Sequence, residues 1–184
     1  DEIRKVVKEI TDLLKKSNDK NRKVVEEIRD LLRKSKKLAD ELVERLRKLV
    51  EDLRRRIDKL SDKRTAEDIV RRIIEELKRI LKEIEDLARR INREIERLVE
   101  EVERDNRDVN RKIEELLKDI ARRVDSEDLK RVEERAREVS RRNEESMRRV
   151  KEDADRVSEK NKEVLDRVRE EVKRLIEEVR ETLR

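Results

Sequence analysis

Glycine, proline, cysteine, histidine, tryptophan, tyrosine and phenylalanine are all missing from the 184 residues, and so is glutamine. Each absence excludes something. Without cysteine there is no disulfide framework and no thiol chemistry. Without histidine there is no imidazole to act as acid, base or metal ligand near neutral pH, and the Glu-x-x-His motif of helical di-metal sites is absent. Without aromatics there is no platform on which nucleic-acid bases could stack. Glycine and proline together make up about 12% of an average chain, and they are the usual residues of turns and helix ends. A chain with neither is expected to hold very few turns. No apolar run approaches the ~18 residues of a membrane span. Asp1-Glu2 opens directly on an amphipathic pattern, so no signal peptide is expected, and the missing initiator methionine suggests a trimmed chain.

Charged residues account for 58% of the chain and hydrophobic residues for 33%. High charge without aromatics is also the composition of disordered segments. Two features argue for order. The net charge, +5, is small beside 56 basic and 51 acidic residues, and the apolar residues are strictly periodic. Ile3, Val7, Ile10 and Leu14 step by four, three and four. Val24, Ile28, Leu31, Ser35, Leu38, Leu42, Leu46, Leu49, Leu53 and Ile57 continue in the same rhythm. Between the two runs lies Lys16-Ser17-Asn18-Asp19-Lys20-Asn21, whose Ser, Asn and Asp are turn formers. A turn would reset the phase. Ser17 and Asn21 instead join the two runs without a slip, so the stretch is expected to be helix interior with both residues in the core.

Two interruptions carry helix-start chemistry. In Ser61-Asp62-Lys63-Arg64-Thr65-Ala66-Glu67-Asp68, Thr65 is the expected N-cap, with Asp68 reaching back. In Val124-Asp125-Ser126-Glu127-Asp128, Ser126 is the expected N-cap, with acidic residues in the first turn. Three helices follow, at about 2–60, 66–123 and 127–183, with loops at about 61–65 and 124–126. At 1.5 Å per residue each is on the order of 85 Å long. Loops this short make consecutive helices antiparallel.

Register can be read independently. Shifting the core series of the first helix by 126 residues lands on Leu129, Glu133, Ala136, Ser140, Asn143, Met147, Val150, Ala154, Val157, Asn161, Val164, Val168, Val172, Leu175, Val179 and Leu183. Only Glu133 is not a core-type residue. The first and third helices are therefore expected to be parallel and level, with the second antiparallel between them. Levels such as Leu49 with Leu77, Leu42 with Ile84 and Ile10 with Leu116 result. The expected fold is all-α: a single domain over 1–184, a long up-down-up three-helix bundle with coiled-coil-like packing. The frequent four-residue steps raise the mean repeat above 3.5, so supercoiling should be weak. Met147 is expected to be a core gap filler.

Glu, Lys and Arg outside, Leu, Ile and Val inside, and Ser or Thr ahead of the helices is the pattern that helical design rules prescribe. On these grounds the chain resembles de novo designed helical bundles with buried hydrogen-bond networks, over its whole length. The likeness is one of style, and it carries no functional residue across.

The polar residues at core positions form two groups. Ser17, Asn21, Asn106, Asn110, Ser140 and Asn143 fall within about two turns of one another. Ser35, Asn92 and Asn161, with Ser158 adjacent, form the second. Buried polar groups must find partners, so these are expected to be structural layers that specify register and topology, as one buried Asn does in coiled coils. A small polar ligand or water site is the rival reading. No catalytic, cofactor or metal residue is assigned: carboxylate pairs occur everywhere by composition, and Ser140 and Ser146 have no histidine to relay a proton. The basic clusters Arg33-Lys34-Ser35-Lys36-Lys37 and Arg54-Arg55-Arg56 read as solvated helix faces rather than a specific nucleic-acid site. The expected role is a non-enzymatic scaffold: monomeric, with no required partner, no membrane and no targeting signal, so localisation stays open. The alternative is a binding module that accepts a partner helix, suggested by doublets such as Val6-Val7, Leu13-Leu14, Leu31-Leu32, Ile73-Ile74 and Leu116-Leu117. A spectrin-like spacer is a third resemblance, weakened by the lack of Trp.

Overall fold

In the computed structural model, which describes residues 2–184, three α-helices follow one another: α1 Glu2–Asp58, α2 Lys63–Ala121 and α3 Ser126–Glu181. They form a three-helix bundle. Asp1 lies outside the described residues. Ser17–Asn21 is continuous helix inside α1, as the unbroken phase requires. Among the described residues no backbone angle enters the left-handed region, so the turns manage without glycine.

Both expected N-caps are corrected. Asp62, not Thr65, caps α2: one carboxylate oxygen accepts the Arg64 N–H at 3.1 Å and the other the Thr65 hydroxyl at 2.8 Å. Asp125, not Ser126, caps α3, accepting the Asp128 N–H at 3.0 Å. An Asp cap brings two acceptor oxygens and a negative charge to the positive end of the helix dipole, where a hydroxyl brings one oxygen and no charge. The helices accordingly begin three residues and one residue earlier than expected, and α1 ends two residues before position 60.

The chain divides into two compact units, each drawing a segment from all three helices: the chain up to Arg29 with Glu94–Arg156, and Asp30–Arg93 with Val157–Arg184. In the first unit, Ile10, Leu14, Ile113, Ile120, Val132, Ala136 and Val139 form a buried cluster. In the second, Leu46, Val50, Leu53, Val70, Leu77, Val172 and Leu175 belong to another.

Register within each unit follows the expected offset. Ser17 bonds Asn143 in the first unit and Ser35 bonds Asn161 in the second, and each pair is 126 residues apart. Parallel rungs flank them: Arg29–Asp153, Arg47–Glu171 and Arg54–Glu178. Lys20 reaches Asp105 at 2.6 Å while Glu2 faces Arg123 at 3.9 Å. The α2 number falls as the α1 number rises, the mark of antiparallel neighbours.

The core series needs local corrections. Leu38 is 50% exposed and Leu49 39%, while their neighbours Ala39 and Val50 are buried. In α3, Val132 and Val139 are buried, while Glu133 and Ser140 are only half-buried. Adjacent residues differ by about 100° around a helix. Where an apolar doublet straddles the seam, packing selects the member that points at the other two helices. Leu60 is exposed beyond the end of α1.

Candidate functional site

The first polar layer is partly joined. The Ser17 hydroxyl donates to Asn143 Oδ1 at 2.8 Å, and Asn143 Nδ2 donates to Asn106 Oδ1, so one chain of bonds links α1, α3 and α2. Asn143 is fully buried and Ser17 nearly so. Helix α3 places Asn143 between the two partners, so this carboxamide is both acceptor and donor in the network. Asn21, also buried, turns elsewhere: its Nδ2 donates to Ser146 Oγ at 2.8 Å. Sequence reasoning missed Ser146 in this role. The available signal was its separation from Asn21, 125 residues, one short of the α1–α3 offset and beside Met147 in the core. Asn110 and Ser140 stand apart from these bonds. They line an open cleft between α2 and α3 with Ile113 and Ala136, and Asn110 Oδ1 is buried without a partner. Asn18 Oδ1 is likewise buried and unpartnered.

The second layer is thinner. The Ser35 hydroxyl donates to Asn161 Oδ1 at 2.6 Å. Asn161 is 2% exposed, yet its Nδ2 has no partner, and neither has Asn92 Oδ1. Ser158 is half-buried, outside the Ser35–Asn161 bond. Each orphaned group costs about 1–3 kcal/mol relative to a satisfied one.

Beside this layer α1 and α2 part into a groove. A cavity of about 280 Å³ opens there, walled by Leu38, Leu42, Ile80, Ile84, Leu87 and Ile91, with Ser35 and Asn161 also lining it. Leu38 and Leu87 are 50% and 37% exposed. Helix α3 offers Val164, Leu165 and Val168 to this region.

Ion pairs decorate the outside, many between residues three or four apart on one helix, such as Arg97–Glu101 at 2.7 Å. Glu171 is less exposed than most. It accepts from Arg47 Nε at 2.6 Å and from Arg174 at 2.5 Å. The Arg47 hydrogen bond, against a smaller opposing effect of burial, holds its carboxyl below the usual carboxylate range. A carboxyl lowered on folding stabilises above its unfolded pKa of about 4.3, and that contribution disappears as pH falls through the lower folded value. Glu171→Gln should therefore reduce stability modestly at pH 7, by less than about 1 kcal/mol. Denaturation midpoints of the two proteins should converge below pH 4. A gap of constant size at pH 3 would show that the charge is not the cause.

Among the described residues, no cluster of three or more His, Cys, Asp or Glu side chains is arranged to hold a metal ion, and no helix is long and apolar enough to cross a membrane. No family model matches the sequence, and no curated protein does. One solved structure, described as a computationally designed three-helix bundle, superimposes with a TM-score of 0.61, over 98% of this chain and 87% of that one. The two share a fold. At 18% identity the likeness extends to helix number and arrangement and not to any side chain. The designed bundle is thus a structural neighbour in fold.

Proposed function

We propose that the chain is a designed structural scaffold without catalytic role, whose buried Ser and Asn layers specify which helices pair and at what height. The observation that carries this reading is the bonded series Ser17–Asn143–Asn106, which takes one residue from each helix. A slip of α3 by one turn, about 5.4 Å, would break both bonds, and a slip of α1 or α2 would break one and leave a buried polar group unpaired. A plain apolar core carries no such penalty, because one Leu or Val layer is much like the next. We also take the chain to act as a single domain over 1–184, which unfolds in one cooperative step.

The test is the apolar replacement of Ser17, Asn21, Asn106, Asn110, Ser140 and Asn143 together. That variant leaves behind only the half-buried Ser146 hydroxyl, which can turn to a backbone carbonyl one helical turn back, so it should be at least as stable as the parent. It should also be less specific, populating shifted registers or dimers by light scattering and by cross-linking between α1 and α3. A six-fold variant that keeps one register and one mass would remove the specifying role from these residues.

A second reading, a module that accepts a partner helix, is favoured by a specific observation. The exposed large hydrophobic side chains Leu38, Leu49 and Leu87 belong to α1 and α2, and Leu38 and Leu87 wall one groove. A scaffold with no partner gains nothing from leucines left in water.

A further inference from the structure

We infer that the cavity between α1 and α2 is a binding site for one small, uncharged, apolar molecule, the size of two fused or linked aromatic rings. The inference rests on neither reading above.

The cavity has a cause in the sequence. Ala39 of α1 and Ala88 of α2 both line it. Leu42 and Ile84 line it one turn to one side, and Ser35 and Ile91 one turn to the other. The two alanines therefore share a level of antiparallel α1 and α2. Alanine is the smallest side chain in this chain, so the pair leaves open a space that a leucine or isoleucine would fill. Leu38 and Leu87 directly precede the alanines, about 100° around each helix. Both are exposed and both line the cavity, so they stand at its mouth.

Size selects the occupant first. A dry cavity of roughly 150 Å³ with aliphatic walls takes up benzene. This one, at about 280 Å³, has room for a second ring. A molecule seated there would also cover Leu38 and Leu87, removing apolar surface from water.

Polarity selects next. The two neutral polar side chains in the lining offer a ligand no free donor. The Ser35 hydroxyl donates to Asn161 Oδ1, and Asn161 Nδ2 is buried out of reach of the cavity. The charged lining residues, Glu41, Glu83 and Arg45, are exposed and carry both signs, so the mouth selects neither an anion nor a cation. A charged ligand would lose its hydration against Ile80, Ile84 and Val168 with nothing to replace it. An uncharged apolar molecule loses no hydrogen bond on entry.

The experiment titrates the full chain with N-phenyl-1-naphthylamine, a neutral dye whose emission rises in apolar surroundings, and with its sulfonated analogue. The neutral dye should bind one molecule per chain, at least tenfold tighter than the sulfonate. Biphenyl, which has no polar group, should displace it competitively, a result that needs no variant. Ala88 is half-buried, so the position tolerates change. Ala88→Leu, which fills the space, and Ala88→Asp, which puts a charge in it, should each weaken the dye more than tenfold, with helicity by circular dichroism unchanged. Leu49→Ser removes an exposed leucine outside the lining and should leave affinity within twofold. Absence of saturable binding, equal affinity for the sulfonate, or failure of biphenyl to compete overturns the proposal. So does binding that survives both Ala88 variants, or binding that is lost with Leu49→Ser, which would mean that exposed leucines gather the dye. A dimer of the unliganded chain that Ala88→Leu dissociates would assign the cavity to a second copy and overturn it as well.

Discussion

Leu77→Ala is expected to lower the free energy of unfolding by about 3–5 kcal/mol. Leu77 is fully buried, in the cluster that includes Val50, Leu53, Val70, Val172 and Leu175 from all three helices. Truncation removes the transfer free energy of three carbons and leaves a cavity that three stiff helices cannot close. The same change at Leu38, half exposed at the groove, should cost less than about 1 kcal/mol, because most of its surface is already in water. Chemical denaturation of the two variants, with the slope checked for constancy, decides the matter. Equal losses would mean that Leu38 is covered in solution, and the groove between α1 and α2 would then be closed.

Asn143→Leu should cost about 2–3 kcal/mol, through a different mechanism. The substitution adds apolar surface at a fully buried site, and by burial alone it would stabilise. It also strips the Ser17 hydroxyl of its acceptor and Asn106 Oδ1 of its donor. Two orphaned groups at about 1–3 kcal/mol each outweigh the gain, although Ser17 can turn to the carbonyl one helical turn back and recover part of it. Adding Ser17→Ala and Asn106→Leu to Asn143→Leu should then restore stability, since nothing polar is left unpaired. The measurement is a mutant cycle in the denaturation midpoint. Additive losses across the three sites would mean that they do not act as a network.

Much of this was legible without coordinates. The uninterrupted step of three and four residues through Ser17 and Asn21 identified a helix interior where turn formers suggested a loop, and α1 runs through it. The 126-residue offset placed Ser17 against Asn143 and Ser35 against Asn161, and both pairs are bonded. Other expectations were less well determined. Asp62 and Asp125 compete with Thr65 and Ser126 as caps, and position alone does not rank two good capping residues three apart or adjacent. Asn21 was grouped with Asn143, but a carboxamide about 3 Å long reaches only what its rotamer faces, and it faces Ser146. Asn110 and Ser140 are level with the layer yet lie at its α2–α3 edge, where the small side chain of Ala136 leaves a cleft.

The sequence by itself determined the helices, their order and their relative heights, because those depend on periodicity along the chain and on loops too short to allow another order. Tertiary structure decided which residue of each pair turns inward: Ala39 over Leu38, Val50 over Leu49, Val132 over Glu133. It also decided which amides find partners and which, like that of Asn161, do not. Adjacent helical residues differ by about 100°, so a doublet astride the seam presents two nearly equivalent choices to a periodicity argument. Only packing against the opposing helices separates them.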